Sequence, residues 1–288
     1  MEFREWHDGD DLRLLEIFSD PTNAQHHYDR AMLGPSTQEP FGVGMVAVDE
    51  DIPVAAGALR AQTLHPQRMW CYIETAPLQR QRGIATALLQ QLLERAPDNT
   101  ELKTRSAATD EATANWLTNH GFAPVQHTQR IIVASKSFEA VDIEVQPLAT
   151  GSVELSKVVA EYYNASHAWD PSDITLTQAQ QLLLAPQTGA QQALITRSDH
   201  GIAAFAIAYP GPVPNVVELF IGHDPKHLDP TEHIRALLAT AGAESSLAIE
   251  IDNSTAVLNP LIESAVESDT AIIEHESTIW ATDVSPHA

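Results

Sequence analysis

Residues 69–95 read MWCYIETAPLQRQRGIATALLQQLLER, and this stretch decides the fold of the first half of the chain. Its beginning, up to Thr75, predicts a β-strand. From Gly83 to Ala96 the apolar residues recur at helical spacing, which predicts an amphipathic helix. A short turn that ends in glycine joins the two elements, so the sequence predicts a strand, a glycine turn and a helix in immediate succession.

The start of this helix has the properties of an anion site. The first four N–H groups of a helix have no partner within it, and the helix dipole adds positive potential there. Gly83 lets the backbone approach an anion without an intervening Cβ, Ala85 is small, and Arg80 and Arg82 add positive charge. The stretch lacks the Gly-Lys-Ser/Thr element of a Walker loop. We therefore predict a pyrophosphate site here; the alternative is an ordinary loop with a glycine before the helix.

The elements around this stretch follow one order twice. The patterns of residues 1–137 predict the order β-α-α-β-β-β-α-β-α-β, and those from residue 143 onward predict the same order again. Pro77 and Pro225 each follow the fourth strand of their half, about 148 residues apart, which indicates an internal duplication. We expect an α/β protein with two domains, residues 1–137 and 142–288.

Three features of the first half resemble a known family. The turn reads R-x-x-G-x-A, Thr75-Ala76-Pro77 leads into it, and the next predicted helix ends in Asn119-His120-Gly121-Phe122. This pattern resembles motif A of the GNAT superfamily of N-acetyltransferases. The resemblance implies two tandem GNAT-like domains, each a twisted mixed β-sheet flanked by helices. It also implies that acetyl-CoA lies between the strands at 69–75 and 101–106.

The resemblance further implies which residues hold this cosubstrate. Backbone groups of Ile73 and Thr75 would pair with pantetheine. The pyrophosphate would lie against the turn and the first residues of the helix: Arg80, Gln81, Arg82, Gly83, Ile84, Ala85 and Thr86. The implied function is that of an acyltransferase, an acetyl-CoA-dependent N-acetyltransferase whose acceptor is an amine of a small molecule or a peptide.

The residues that would move protons are less regular. The family's usual acid, a tyrosine, is replaced by Leu117, and a common position of the general base holds Met69. The remaining catalytic candidates on the strand are Glu74 as a base, Tyr72 as an acid, and Cys71. Each has an ordinary alternative: a surface carboxylate for Glu74, a packed ring for Tyr72 and a small core residue for Cys71.

Two histidines of the predicted second helix lie where such folds receive the acceptor. His26 and His27 are adjacent in sequence, so they point to different faces of the helix and at most one lines a site.

The second half has lost the anion site. Aligning Pro225 with Pro77 replaces both arginines, the glycine and the alanine by Leu228, Pro230, Thr231 and His233. Asp229 and Glu232 add negative charge, which opposes a phosphate. We expect no CoA at this turn. The second domain is then a scaffold or part of the acceptor site; carboxylates that could receive a cationic amine are Asp170, Asp173, Glu218 and Asp224, with solvated surface as the alternative.

Composition excludes several classes of protein. The formal net charge is −23 over 288 residues, which disfavours nucleic acid as a partner because phosphate needs a basic surface. The single cysteine excludes a disulfide framework, and no spacing typical of a metal site is present. No apolar run is long enough for a membrane span, and the N-terminus does not resemble a signal peptide, so we expect a cytoplasmic protein. Two other functions stay open: a non-catalytic, regulatory CoA-binding tandem module, and a structural tandem without ligand.

Overall fold

The computed structural model describes residues 1–21, 23–211 and 213–283. It divides into two compact units. Of the described residues, the first unit comprises 1–106, 110–125 and 279–283, and the second comprises 107–109 and 126–278.

The element order is the one predicted, and the mixed α/β fold class is confirmed. Residues 1–133 form six strands, β1–β6, and four helices, α1–α4: β1 (Glu2–Glu5), α1 (Asp10–Ile17), α2 (Ala24–Arg30), β2 (Gly42–Asp49), β3 (Ile52–Arg60), β4 (Arg68–Thr75), α3 (Ile84–Leu93), β5 (Glu101–Ala107), α4 (Glu111–Asn119) and β6 (Ala123–Val133). A 3₁₀ turn, Pro77–Gln79, precedes the glycine turn.

Residues 145–281 repeat this order with strands β7–β12 and helices α5–α8: β7 (Val145–Leu148), α5 (Val153–Ala165), α6 (Leu176–Ala179), β8 (Gln192–Ser198), β9 (Gly201–Pro210), β10 (Val216–His223), α7 (Thr231–Ala241), β11 (Ser246–Asp252), α8 (Asn259–Glu267) and β12 (Ala271–Ala281). Helix α6 continues as a π-helical turn, Gln180–Leu184.

In the first unit the sheet order is β1-β2-β3-β4-β5, followed by the last residues of β12. Strands β1 to β4 pair antiparallel, while β4 and β5 are parallel. In the second unit the order is β12-β6-β11-β10-β9-β8-β7, and β10 and β11 form the corresponding parallel pair.

The two faces of the first unit's sheet pack against different helices. Met45 and Cys71 belong to a buried cluster with Leu88 and Leu92 of α3. Val46, the neighbour of Met45, instead belongs to a cluster with Leu14 of α1. Because side chains alternate across a strand, odd-numbered residues of β4 face α3 and even-numbered residues face the side of α1 and α2.

Both parallel pairs are short. Strands β4 and β5 pair only from Arg68–Trp70 to Glu101–Lys103, and β10 and β11 pair only from Val216–Glu218 to Ser246–Ala248. Beyond these residues the strands separate, so each unit contains a splay at the carboxyl ends of its parallel strands, as expected for the first one.

Three details differ from the sequence prediction. β6 belongs mainly to the second unit, and the first unit is closed instead by residues from Ile279 of β12. The pattern of residues 177–184 predicts one helix, but the chain is helical for one turn and then widens into the π-helical turn. The pattern of residues 255–266 predicts a helix from Thr255, but α8 starts at Asn259.

The late start of α8 has a local cause. Thr255 Oγ1 donates to the carbonyl of Asp252 at 2.8 Å, and Asn259 Nδ2 donates to the same oxygen at 2.9 Å. These side-chain bonds stabilise a turn in place of the first helical turn.

Candidate functional site

The turn before α3 places a concave run of backbone at a helix start. Gln81 has φ 61° and Gly83 has φ 78°, so two left-handed residues flank Arg82. Alternation with left-handed residues turns successive N–H groups toward one side, an arrangement that binds anions. Gly83 is the N-cap of α3 and no side chain bonds to this cap, so the donors at the start of α3 are not satisfied by a protein side chain at the cap.

The space in front of Gly83 is open. A Cβ built on Gly83 would meet no atom within 4 Å, and residues 80 to 83 are all exposed. A cleft of about 150 Å³ adjoins the turn, lined by Thr75, Gln79, Arg80, Gln81, Gly83, Ile84, Ala85, Thr86 and Trp116. Open donors, a glycine and an adjoining cleft fit a pyrophosphate, so the residues present are compatible with CoA.

The two arginines stand at the mouth of the turn. Arg80 Nε donates to the carbonyl oxygen of Thr75 at 3.3 Å. Arg82 hydrogen-bonds Gln79 and lies 3.6 Å from Asp49 Oδ2. Arg82 is about half exposed, so its pairing with Asp49 is weak and can give way to a phosphate.

The side chain of Thr86 is held by Trp116 of α4 and by His120, the residue just after this helix; the sequence patterns assign neither of them a role at the site. Trp116 Nε1 donates to Thr86 Oγ1 at 3.1 Å, and His120 Nε2 lies 3.0 Å from the same oxygen. His120 Nδ1 is 2.7 Å from the carbonyl oxygen of Trp116, so Nδ1 carries the proton and Nε2 accepts from the Thr86 hydroxyl. The hydroxyl is engaged, which leaves the backbone N–H of Thr86 as its group for a ligand.

Strand β4 directs alternate peptide groups toward the splay. The N–H of Ala76 donates to Val54 O of the neighbouring chain segment at 2.9 Å. Hydrogen-bonded positions alternate along an antiparallel pair, so even-numbered residues of β4 bond to β3. The peptide groups of Ile73 and Thr75 therefore point away from β3 and toward the side where β5 has diverged.

Glu74 is buried in an ion pair, so its interpretation as a surface carboxylate is wrong. Its side chain is 8% exposed. Arg30 donates two hydrogen bonds to this carboxylate, from Nε to Oε2 at 2.8 Å and from Nη2 to Oε1 at 2.6 Å. The hydroxyl of Tyr72 donates to Oε2 at 2.8 Å. Glu74 could accept a proton only by weakening this bidentate pair.

The other two candidates on β4 have raised pKa values. Burial, and then the neighbouring Glu74, raises the pKa of Tyr72 well above its ordinary value, so Tyr72 keeps its proton. Burial raises the pKa of Cys71 to about 12. Cys71 lies in the core cluster with α3, on the opposite face of β4 from Glu74, as its parity predicts.

Of the two adjacent histidines, one reaches the site. His26 Nε2 lies 3.8 Å from Glu74 Oε1 and its side chain is 25% exposed, whereas His27 is exposed with its ring centroid 6.4 Å from that of Tyr28. Met69 and Leu117 both lie in the core cluster. His26 is therefore the one of the two histidines that lies beside Glu74.

The second unit keeps a splay but fills its helix start. Asp229 Oδ1 accepts from the N–H of Thr231 at 3.3 Å, and Pro230 is the N-cap of α7. A small cavity of about 110 Å³ lies at this splay, lined by Tyr162, Ile221, Gly222, His223, Ile234, Ser254, Thr255, Ala256, Val257 and Leu258. The Asp229 carboxylate thus uses a backbone donor at the start of α7, whereas no side chain caps the start of α3.

The four carboxylates that could receive a cationic amine differ from one another in their partners and in their exposure. Glu218 pairs with Arg130 at 3.3 Å, Asp224 bonds the backbone of Lys226, Asp170 is buried, and Asp173 is exposed.

Asp252 is a further buried carboxylate of the second unit. It accepts from Gln126 Nε2 at 2.7 Å and from the N–H of Ser254 at 2.6 Å, and His167 Nε2 lies 3.2 Å away. Burial raises its pKa, but the bonds to His167 and Ser254 outweigh burial, and the net pKa is below the ordinary value.

The splayed parallel strand pair lies next to a helix start whose backbone donors suit an anion. Comparison with known proteins relates this part of the chain to a family. Residues 5–122 match the model of the Acetyltransferase (GNAT) family, which confirms the resemblance seen in the sequence for this part of the chain. No curated protein matches the chain by sequence.

Several solved structures share the fold along the whole chain. A GCN5-related N-acetyltransferase from Sphaerobacter thermophilus superposes with a TM-score of 0.66 at 12% identity, over 100% of this chain and 96% of its own. A tandem GNAT protein from the clavulanic acid biosynthesis pathway superposes with a TM-score of 0.57 at 14% identity, over 100% of this chain and 99% of its own. A putative acetyltransferase from Pyrococcus horikoshii superposes with a TM-score of 0.55 at 15% identity, over 99% of this chain and 89% of its own. At these identities the likeness shows the fold alone, and it confirms the tandem GNAT architecture.

Within the described ranges, no helix is long and apolar enough to cross a membrane. Over the same ranges, no three His, Cys, Asp or Glu side chains group as metal ligands would.

Proposed function

We propose that the protein is an acetyl-CoA-dependent N-acetyltransferase whose site lies in the first unit. The observation that carries the proposal is the open helix start of α3, with left-handed Gln81 and Gly83, beside the splay of β4 and β5. The proposal assigns acetyl-CoA to the domain of residues 1–137. The domain of residues 142–288 binds no CoA at its equivalent turn, and the protein works in the cytoplasm on a small-molecule or peptide amine.

The chain's own residues divide the binding task. Backbone N–H groups from Gln81 to Thr86 hold the pyrophosphate, with Arg80 and Arg82 at its mouth. Peptide groups of Ile73 and Thr75 align the pantetheine arm along β4. The two residues that hold the Thr86 side chain fix its position.

The reaction needs one proton acceptor. Acetyl-CoA supplies an acetyl thioester: the amine nitrogen forms a bond to the carbonyl carbon, the carbon–sulfur bond breaks, and one proton passes from the nitrogen through the acceptor to the leaving thiolate, which becomes a thiol. We assign the proton of the amine to His26, whose ring lies 3.8 Å from Glu74. Glu74 is then a positioning residue held by Arg30, and Tyr72 stays protonated beside it. Much of the remaining rate enhancement comes from positioning.

A specific observation favours a second candidate, a non-catalytic CoA-binding module. The family's acid position is Leu117, 2% exposed, and its base position is Met69, 8% exposed. Neither side chain carries a proton that it could exchange. This candidate predicts acetyl-CoA binding without release of CoA thiol for any amine.

The experiment is a thermal shift with acetyl-CoA, followed by a thiol-release assay over an amine panel, on the parent and two matched variants. His26→Gln should lower kcat by about a hundredfold or more, as loss of a general base does. His27→Gln changes the adjacent, exposed histidine and should leave kcat near that of the parent.

Both variants should keep the acetyl-CoA thermal shift, because His26 and His27 lie outside the pyrophosphate cradle, the turn and helix start formed by residues 80–86. Equal rates for the two variants would refute the assignment of His26. Tight acetyl-CoA binding with no thiol release from any amine would favour the non-catalytic module.

A further inference from the structure

The face of β4 that carries Glu74 continues onto β5 with two cations. Lys103 Nζ and the Arg105 guanidinium carbon both lie 5.2 Å from the ring centroid of Trp70. Lys103 is opposite Trp70 in the last paired position of β4 and β5. Arg105 comes two residues later, where the strands have separated, so its side chain stands at the splay.

This group lies on the acceptor side of the sheet. Leu102, next to Lys103, belongs to the core cluster with α3, so Lys103 and Arg105 point to the face of α2. The pyrophosphate cradle, in contrast, is at the start of α3. Arg105 is therefore not placed to bind the phosphates of CoA, and a ligand for it must approach from the acceptor side.

Ion pairs on this face differ in how fully they engage their partners. Arg30 and Glu74 form a closed bidentate pair. Arg105 meets Asp29 through a single nitrogen, with Nη1 at 3.4 Å from Oδ1.

The guanidinium of Arg105 is incompletely satisfied. Nη1 reaches Asp29 Oδ1 at only 3.4 Å, and Gln25 Nε2 donates to that same oxygen at 2.8 Å. Arg105 Nε is buried and has no hydrogen-bond partner. A buried donor without a partner costs free energy, and a guanidinium edge matches a carboxylate in geometry.

We infer that the acceptor amine also carries a carboxylate, as an amino acid does, and that Arg105 receives this carboxylate at the splay while Trp70 and Lys103 support it. The inference rests on the proposed acetyl transfer and names its substrate class. Arg105 binds the acceptor and takes no part in bond making.

The test compares amino acids with their own carboxamides as acceptors. The parent should favour the carboxylate in kcat/KM by about tenfold to a hundredfold, the value of a charge-assisted hydrogen bond. Arg105→Gln should abolish this preference mainly through KM. Arg95→Gln, which changes an exposed arginine at the end of α3, should keep it.

A second measurement does not depend on turnover. Calorimetric titration of the CoA-loaded protein with N-acetylglycine and with N-acetylglycinamide should show preference for the carboxylate in the parent and in Arg95→Gln, and none in Arg105→Gln. A parent without preference in both measurements, or a preference that survives in Arg105→Gln, overturns the inference.

The two proposals fail in different ways. Acetylation of amines without regard to a carboxylate would leave the proposed function standing and refute the role of Arg105. Selective binding of N-acetylglycine without any acetylation would support Arg105 and refute the transferase. A variant that merely damages the fold would lower the rates for both acceptors alike and leave their ratio unchanged.

Discussion

Two glycines of this chain allow conformational strain to be separated from ligand binding. Gly83 has φ 78° and ψ 4° as N-cap of α3, and Gly9 has φ 88° and ψ −3° as N-cap of α1. Neither cap receives a side-chain hydrogen bond, and a Cβ on either would meet nothing within 4 Å. Alanine at each position should lower the free energy of unfolding by about 1 kcal/mol, because L-residues disfavour the left-handed region.

Only Gly83→Ala should weaken the binding of acetyl-CoA. The new Cβ would project into the open space of the cradle and displace the anion from a backbone donor. One lost hydrogen bond to a charged group costs about 1.5–3 kcal/mol, which weakens Kd by about tenfold to a hundredfold. At a ligand concentration 100 times the parent's Kd, the parent gains about 2.7 kcal/mol of stability, and a variant with a hundredfold weaker Kd gains about 0.4 kcal/mol.

The assay is urea unfolding of the parent, Gly83→Ala and Gly9→Ala, each with and without acetyl-CoA. Without ligand the two variants should coincide. With ligand, Gly9→Ala should gain as much as the parent. The reasoning is refuted if Gly83→Ala keeps the full ligand-induced gain, or if both variants lose it equally.

Three further outcomes follow from the buried titratable groups. Glu74→Gln should lower the free energy of unfolding, measured in urea, by about 3 kcal/mol, since it leaves Arg30 buried without its counter-charge. The double variant Arg30→Met with Glu74→Leu should recover most of this loss. A loss below about 1 kcal/mol in Glu74→Gln would contradict the buried pair. The Asp252 pKa is lower in the folded than in the unfolded protein, so its contribution to stability is present above the unfolded pKa of about 3.9 and is lost as pH falls through the folded pKa. Asp252→Asn should remove that part of the slope in unfolding measured from pH 6 to pH 3, and an unchanged slope would contradict it. Cys71, with a pKa of about 12, should resist iodoacetamide at pH 8 until the protein unfolds, and Cys71→Ala should keep its turnover; rapid native labelling would place the thiol outside the core.

The local features of the fold could be read from the sequence. Spacing of apolar residues predicted the order of strands and helices, because each element buries one face and its period shows in the chain. Parity along β4 separates Glu74 from Cys71, and the structure places them on opposite faces. The glycine turn predicted between β4 and α3 is present, with Gly83 in the left-handed region.

Contacts between distant residues could not be read in this way. Arg30 and Glu74 are 44 residues apart, and nothing in either local pattern specifies their pairing. Trp116 and His120 are separated by one helical turn, which is a usable signal of a shared face, but their contact with Thr86 depends on how α3 and α4 pack. The assignment of catalytic and cofactor roles stays a prediction.

The last residues of β12 set a condition on how the first unit arises. Two hydrogen bonds join Leu102 of β5 to Thr282. The N–H of Leu102 donates to Thr282 Oγ1 at 2.8 Å, and the N–H of Thr282 donates to the carbonyl oxygen of Leu102 at 2.9 Å. During translation, β5 would emerge about 180 residues before this partner, and until then its edge would be an open template for aggregation. An expression fragment that stops at residue 137 would keep that open edge permanently. The family match is thus continuous over residues 5–122, but the first unit needs residues 279–283 to complete its sheet, so a gene split between the two halves would not yield a complete first unit.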